Sequence, residues 1–212
     1  MNPIRSAWKT IVEWRRAYLF MNLGYFGLVV AGMVYAAFNR PLQLSLLESV
    51  EGAFEAGPIA MVANAYIGGR IPLAISLTFL VNLAIGSFLS ITLPSLVIPF
   101  SGLLIGFFRA VLWGVLFSPT KLELSPPTIL AGVLIVVLIF LEGQAYVLAM
   151  LAAYVQGNAF LFPKQVSAES HARGYLIGVG RTSLIYLLVA LVLAIAAVYE
   201  VLIAVLILPR IV

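Results

Sequence analysis

The sequence predicts an all-α fold, a polytopic transmembrane helix bundle with about five spanning helices and amphipathic surface segments. Three observations carry this prediction. Of the 212 residues, 63% are hydrophobic and only 9% are charged, against roughly 25% charged in soluble domains. The 12 basic and 8 acidic side chains are too few to clothe a soluble domain of this length. Mean hydropathy is +1.13, and apolar runs able to cross a hydrocarbon core of ~30 Å recur along the whole chain. Residues 1–212 are therefore expected to form one integral membrane domain with the bilayer as solvent.

Each element follows in order. In residues 1–16, Arg5, Lys9, Glu13, Arg15 and Arg16 alternate with Ile4, Trp8, Ile11, Val12 and Trp14. That spacing predicts an interfacial amphipathic helix with tryptophan at headgroup depth. The apolar run behind it is too long for a signal-peptide core and is followed by no A-x-A site. A first span is expected over 17–38, ended by Asn39-Arg40-Pro41. Residues 42–58 carry Glu48, Glu51 and Glu55 and read as a surface amphipathic segment, too charged to span. Residues 59–72 then lead through Gly68-Gly69-Arg70 and Pro72 into a second span over 73–93. Pro94 marks a tight turn into a third span over 95–117. The polar hairpin SPTKLELSPPT precedes a fourth span over 128–154, longer than a bilayer requires. Residues 156–181, with Lys164, His171, Arg173 and Arg181, read as a loop before a fifth span over 182–208.

Basic residues set the expected orientation. Arg5, Lys9, Arg15, Arg16, Lys164, Arg173 and Arg181 fall on one side of such a bundle; Arg40, Arg70, Lys121 and Arg210 fall on the other. The excess predicts a multi-pass cell-membrane protein with a cytoplasmic N-terminus and an external C-terminus. No Lys/Arg cluster of the kind that tracks phosphates is present, which argues against a nucleic-acid partner. The expected partners are the bilayer and other membrane proteins or a second copy. The absence of cysteine excludes disulfides, iron–sulfur ligation and thiol catalysis.

Small residues recur at steps of four. Thr78, Asn82, Gly86 and Ser90 share a face of the second span, and Gly102, Gly106, Ala110 and Gly114 share one on the third. Ala145, Ala149 and Ala153 do the same on the fourth, and Gly174 and Gly178 precede the fifth. In lipid, such stripes let helix backbones approach closely. Packing is the simpler reading; lining a path or docking a partner helix is the alternative.

Polar residues inside the apolar runs carry more information. Glu142 follows VLIVVLIFL and precedes Gly143-Gln144; Asn82 lies mid-way along the second span and Arg109 in the outer half of the third. A charge there costs a few kcal/mol on insertion scales, so it faces a partner or a cavity. In an antiparallel hairpin, Arg109 and Glu142 differ in depth by roughly 9 Å, a gap a long arginine partly bridges. Asn82, Arg109, Glu142 and Gln144 are thus the candidate intramembrane cluster, either a register-fixing ion pair or hydrogen-bond network, or a substrate, ion or proton site. Glu200 is expected near the outer end of the fifth span, reaching the interface.

Hydrolytic chemistry is missing. No H-E-x-x-H motif occurs, there is no aspartate, and the single histidine, His171, falls in the expected loop. No catalytic, cofactor-binding or metal-ligating residues are assigned, and no cofactor is expected.

Three segments carry a resemblance. Phe79-Leu80-Val81-Asn82-Leu83, Ser101-Gly102-Leu103-Leu104-Ile105-Gly106 and Leu141-Glu142-Gly143-Gln144-Ala145 are similar to motifs of the stage II sporulation protein M family. Its Pro-His-Gly segment is replaced here by Val137, Leu138 and Ile139, so no role of that histidine carries over. The resemblance implies a non-enzymatic subunit or scaffold of a membrane complex. The alternative is a small transporter, channel or permease subunit with a midplane polar site at Asn82, Arg109 and Glu142.

Overall fold

The computed structural model describes residues 2–53, 55–119 and 125–211 of the chain. Among them there is no strand; a 3-10 turn at Pro163–Val166 and a short terminal α-helix at Leu208–Ile211 accompany eight longer helices. They are α1 (Pro3–Glu13), α2 (Arg15–Phe38), α3 (Arg40–Ala53), α4 (Gly57–Ile67), α5 (Ile71–Val97), α6 (Ser101–Leu116), α7 (Pro126–Leu161) and α8 (His171–Ile207). Four of them, α2, α5, α7 and α8, are long and apolar enough to cross a membrane. The fifth expected span, α6, has 16 residues, about 24 Å at 1.5 Å per residue. It is therefore shorter than the ~30 Å a span requires.

The long helices overrun their expected ends. Pro94 makes no turn: it lies inside the continuous helix α5, just after the i→i+5 stretch, and the helix runs on to Val97. The reversal comes at residues 98–100, with Phe100 in the left-handed region at φ 68°. The expected loop 156–181 is mostly helical, because α7 continues to Leu161 and α8 begins at His171. Ser170 starts α8 by accepting a hydrogen bond from the Arg173 amide at 3.2 Å. Residues 59–72 also contain a helix, α4, begun at Gly57 (φ 79°) and stopped at Gly68-Gly69. Lys121, counted with the external basic residues, lies outside the described residues, as do residues 120–124 of its polar hairpin.

α7 is the central post. From Ala145 to Ala159 nearly every side chain is buried, as expected of a helix apolar on all sides with neighbours all round. α8 runs antiparallel to it: Gly174 meets the Ala159 backbone, Gly178 meets Gln156, and Thr182 Oγ1 donates to the Ala152 carbonyl at 3.1 Å. α6 is antiparallel to α7 and parallel to α2, and α5 is antiparallel to α8, whose Tyr186 bonds Thr92. The five core helices therefore alternate in direction. Leu19, Phe20, Leu23, Leu187, Leu191 and Ile195 point outward from α2 and α8 as an apolar belt.

Steps of four in an α-helix advance 40° each time, since 3.6 residues make a turn. The α6 stripe therefore winds past three partners. Gly102 abuts the Ile91 carbonyl of α5, Gly106 the Met150 side chain of α7, and Gly114 the Val29 carbonyl of α2. Ala110 is fully buried between them, as are Ala145 and Ala149 on α7.

The amphipathic elements bracket this bundle. α1 buries Ala7, Thr10 and Ile11 and is tied to α8 by Arg181–Glu13 at 2.9 Å. α3 begins by capping α6: Gln43 Nε2 donates to the carbonyls of Val115 and Ser118 at 3.1 and 2.6 Å, satisfying the open C-terminal acceptors.

Candidate functional site

α7 sets Glu142 and Tyr146 one turn apart on the same face, as an i, i+4 pair must be. Glu142 is only 3% exposed and Tyr146 is fully buried. From α5, Asn82 Nδ2 donates to Glu142 Oε1 at 2.9 Å, while Asn82 Oδ1 accepts from the Tyr146 hydroxyl at 3.2 Å. From α6, Arg109 Nη2 donates to that hydroxyl at 3.1 Å and Nη1 donates to the Gly86 carbonyl at 2.9 Å. The guanidinium carbon lies 4.1 Å from the Tyr146 ring centroid and 5.3 Å from that of Trp113, within cation–π range. The acid and the base of the sequence-predicted cluster are thus joined through Asn82 and Tyr146, with no direct ion pair between them.

The backbone of α5 makes room for this. From Val81 to Thr92 its hydrogen bonds run i→i+5, a rare pattern found at functional sites. The wider turn keeps Thr78, Gly86, Ser87, Ile91 and Ser95 buried on one side and lets the Gly86 carbonyl accept from both Arg109 and Ser90. A Cβ on Gly86 would stand 3.0 Å from the Tyr146 hydroxyl and 3.3 Å from Arg109 Nη2. A side chain here would have to push Tyr146 and Arg109 back by a few tenths of an ångström.

α8 adds a second acid. Glu200 is partly buried and borders the same cavity as Glu142, next to Val201, which shares an apolar cluster with Tyr66 of α4. Glu200 Oε2 is buried without a partner. The Tyr66 hydroxyl pairs with Thr78 Oγ1 at 3.2 Å. Asn82, Gly86, Arg109, Glu142 and Glu200 all border one cavity of about 580 Å³, whose remaining walls include Pro58, Ile59 and Val62 of α4 and Trp113 of α6. That volume is in the range of small-molecule sites, as is the mixture of apolar walls and few polar groups.

Gln144 belongs elsewhere. Two residues from Glu142, it faces the other side of α7, accepting from the Tyr18 hydroxyl at 2.8 Å and donating to Asn22 Oδ1 of α2. This second cluster uses both ends of the amide and borders no comparable chamber. The groove between α2, α7 and the segment just after α6, about 660 Å³, is lined almost wholly by aliphatic and aromatic residues such as Met33, Ile129, Val133 and Val136. It lacks the convergent polar groups of the Glu142 cavity. His171 lies at the far tip of the α7–α8 hairpin, donating from Nδ1 to the Phe160 carbonyl at 2.7 Å. Among the described residues, no three His, Cys, Asp or Glu side chains gather as a metal site.

Reading the sequence missed Tyr146, Trp113 and Tyr66, and it set Glu200 apart from the cluster, near the outer end of the fifth span. One signal was present for Tyr146, its i+4 spacing from Glu142. Glu200 had the same signal as Glu142, an acid inside an apolar run, weakened by its place toward the helix end. Tyr66 and Trp113 had none, since both come from contacts across helices.

No family model, no curated protein and no solved structure matches the chain.

Proposed function

We propose that this protein is a membrane permease, or the membrane subunit of one, that holds a small solute in the chamber between α4, α5, α6, α7 and α8. The observation that carries the reading is convergence. Asn82, Arg109, Glu142 and Glu200 come from four helices to border one cavity. Polar side chains inside an apolar bundle are costly. A network serving only helix register is best closed on itself, as Gln144, Tyr18 and Asn22 are. The Glu142 network instead borders a chamber to which Glu200 brings a second carboxyl, one oxygen of which is buried without a partner. The activity proposed is binding and passage, with no bond made or broken. The side bearing Arg5, Lys9, Arg15 and Arg16 is taken as cytoplasmic and the membrane as the cell membrane.

The test is uptake into proteoliposomes from a panel of cationic, anionic and neutral solutes. Uptake is expected for one class, and Glu142→Gln should abolish it while the melting temperature is held. Uptake unchanged in that variant would remove Glu142 from the path.

A second reading, a subunit or scaffold of a membrane complex, draws support from the resemblance to the stage II sporulation protein M family. It is also favoured by the basic end of the molecule, where α1 and the α7–α8 hairpin expose Arg5, Lys9, Lys164 and Arg173. Purification from native membranes in mild detergent separates the two. A stoichiometric ATPase partner supports the permease subunit, and any other stoichiometric partner supports the scaffold.

A further inference from the structure

We propose that the basic end of this protein holds one anionic phospholipid, with its headgroup on Arg15 and Arg16 and the upper part of one acyl chain between α2 and α6. The site is separate from the Glu142 chamber, and it stands whether or not the protein is a permease.

The headgroup part is a polar hollow of about 470 Å³ where α1 passes into α2, bordered by Glu13, Trp14, Arg15, Arg16 and Tyr154. Its charge is one-sided. Among the described residues, Glu13 is the only carboxylate on this border, and Arg181 already holds it at 2.9 Å. Arg15 and Arg16 are exposed, and neither is in an ion pair with a described residue. Two guanidiniums are therefore left uncompensated, with Trp14 beside them as at a membrane interface. Basic side chains so placed attract anionic lipid, and guanidinium offers paired N–H donors to a phosphate.

The acyl-chain part continues from the hollow. Ala17 and Tyr154 border it and also border an apolar furrow of about 310 Å³. Met21, 3% exposed, is the floor of that furrow, and Phe20, 70% exposed, is its rim. Leu103 and Phe107 of α6 form the opposite wall. α2 and α6 are parallel, so both walls lead away from the basic end toward the middle of the bilayer. The furrow closes where the Phe107 ring covers Gly24, about 10 Å beyond Ala17 at 1.5 Å per residue. The Tyr154 ring stands edge-on to Trp14 at 5.5 Å and forms the junction between the two parts.

Basic hollow and apolar furrow follow one another in the order of a phospholipid's own parts. A soluble anion would use the hollow and leave the furrow empty. A zwitterionic lipid would fill the furrow and bring a cation of its own to the two arginines.

Native mass spectrometry of the full chain in mild detergent reads which lipid is retained. Phosphatidylglycerol and phosphatidylcholine with identical acyl chains are added in equal amounts. One phosphatidylglycerol per chain is expected, at least about five-fold over phosphatidylcholine. Arg15→Gln combined with Arg16→Gln should bring the two lipids to equal retention. Arg5→Gln combined with Lys9→Gln removes the same charge from exposed positions of α1 outside the hollow, and it should leave the preference unchanged. Ala17→Phe fills the junction, keeps both arginines and should cut phosphatidylglycerol retention by about five-fold as well. Excess glycerol 1-phosphate, a headgroup without chains, should not displace the lipid.

Equal retention of the two lipids by the natural chain overturns the proposal. A preference indifferent to Arg15 and Arg16 overturns it too, because the lipid then sits elsewhere. So does an equal loss in the Arg5→Gln, Lys9→Gln variant, which would make the preference a property of the whole basic end. Displacement by glycerol 1-phosphate, or indifference to Ala17→Phe, removes the acyl chain from the site and with it the assignment to a lipid. Should Ala17→Phe fail to fold, the exposed arginine pair and the displacement by glycerol 1-phosphate decide the matter.

Discussion

At the scale of single residues, two kinds of side chain matter here: those that are too small to replace and those that link buried polar groups. Gly114 is of the first kind, since a Cβ there would run into the Val29 carbonyl of α2. Gly114→Ala should cost about 1–3 kcal/mol, the usual penalty for overpacking, and appear as a lowered melting temperature in detergent. Gly27 on the same α2 helix has nothing within 4 Å of its would-be Cβ. Gly27→Ala should leave stability equal or raise it by up to ~1 kcal/mol. Equal losses in the two variants would show that α2 and α6 do not meet at Gly114. Tyr146 is of the second kind, donating to Asn82 and accepting from Arg109 through one oxygen. Tyr146→Phe leaves two buried groups unpaired and should destabilise by about 1–3 kcal/mol, measured by the same melting assay. Asn82, Arg109 and Glu142 were legible in the sequence because polar atoms are conspicuous in an apolar run. Their connection was not, because it passes through a tyrosine that sequence alone treats as ordinary bulk.

At the scale of elements, the i→i+5 stretch of α5 is the feature on which the chamber depends. Extra backbone in the turn around Gly86 keeps Asn82 on Glu142 and presents a carbonyl to Arg109. Deleting Leu89, a half-exposed residue in that stretch, should return α5 to i→i+4 bonding and rotate one half of it against the other. Circular dichroism is expected to keep its helical signal while Glu142-dependent uptake is lost. Uptake that survives the deletion would separate the chamber from the backbone irregularity. α1 gives a contrasting case. Its ion pair, Glu13–Arg181, is partly exposed on both sides, so Glu13→Ala should change stability by less than ~1 kcal/mol. Ile11 is 6% exposed, and Ile11→Asp should free α1 from α8, seen as protease cleavage near the N-terminus. Apolar run lengths located the helix centres well. They failed at the ends because α7 and α8 continue past the most apolar residues, held there by contacts such as Gly174 on Ala159.

At the scale of the whole molecule, five core helices alternating in direction put the N-terminus and the end of α8 at opposite ends of the bundle. The natural chain has no cysteine, so single substitutions report cleanly. Gln165→Cys in the α7–α8 turn and Ser49→Cys in α3 are both exposed and lie at opposite ends. In sealed vesicles of one orientation, an impermeant maleimide should label one and spare the other. Labelling of both or neither would contradict the alternation, with α6 the first helix to doubt because it is short. Ser49 is expected on the external side, in line with the distribution of basic residues.

The sequence by itself determined the helical class, the approximate centre of each apolar helix, the amphipathic nature of α1 and α3 and the presence of costly polar residues. All of these are properties of a residue and its near neighbours: hydropathy, periodicity and the price of a charge in hydrocarbon. Tertiary structure alone decided that Gln144 turns away from Glu142 to Tyr18 and Asn22, that Glu200 and Glu142 border one cavity, and that Tyr146 stands between Asn82 and Arg109. Those outcomes depend on how far each helix is rotated and slid against the next. Rotation and slide are set by close contacts between distant parts of the chain, such as Gly114 on Val29 and Gly106 on Met150.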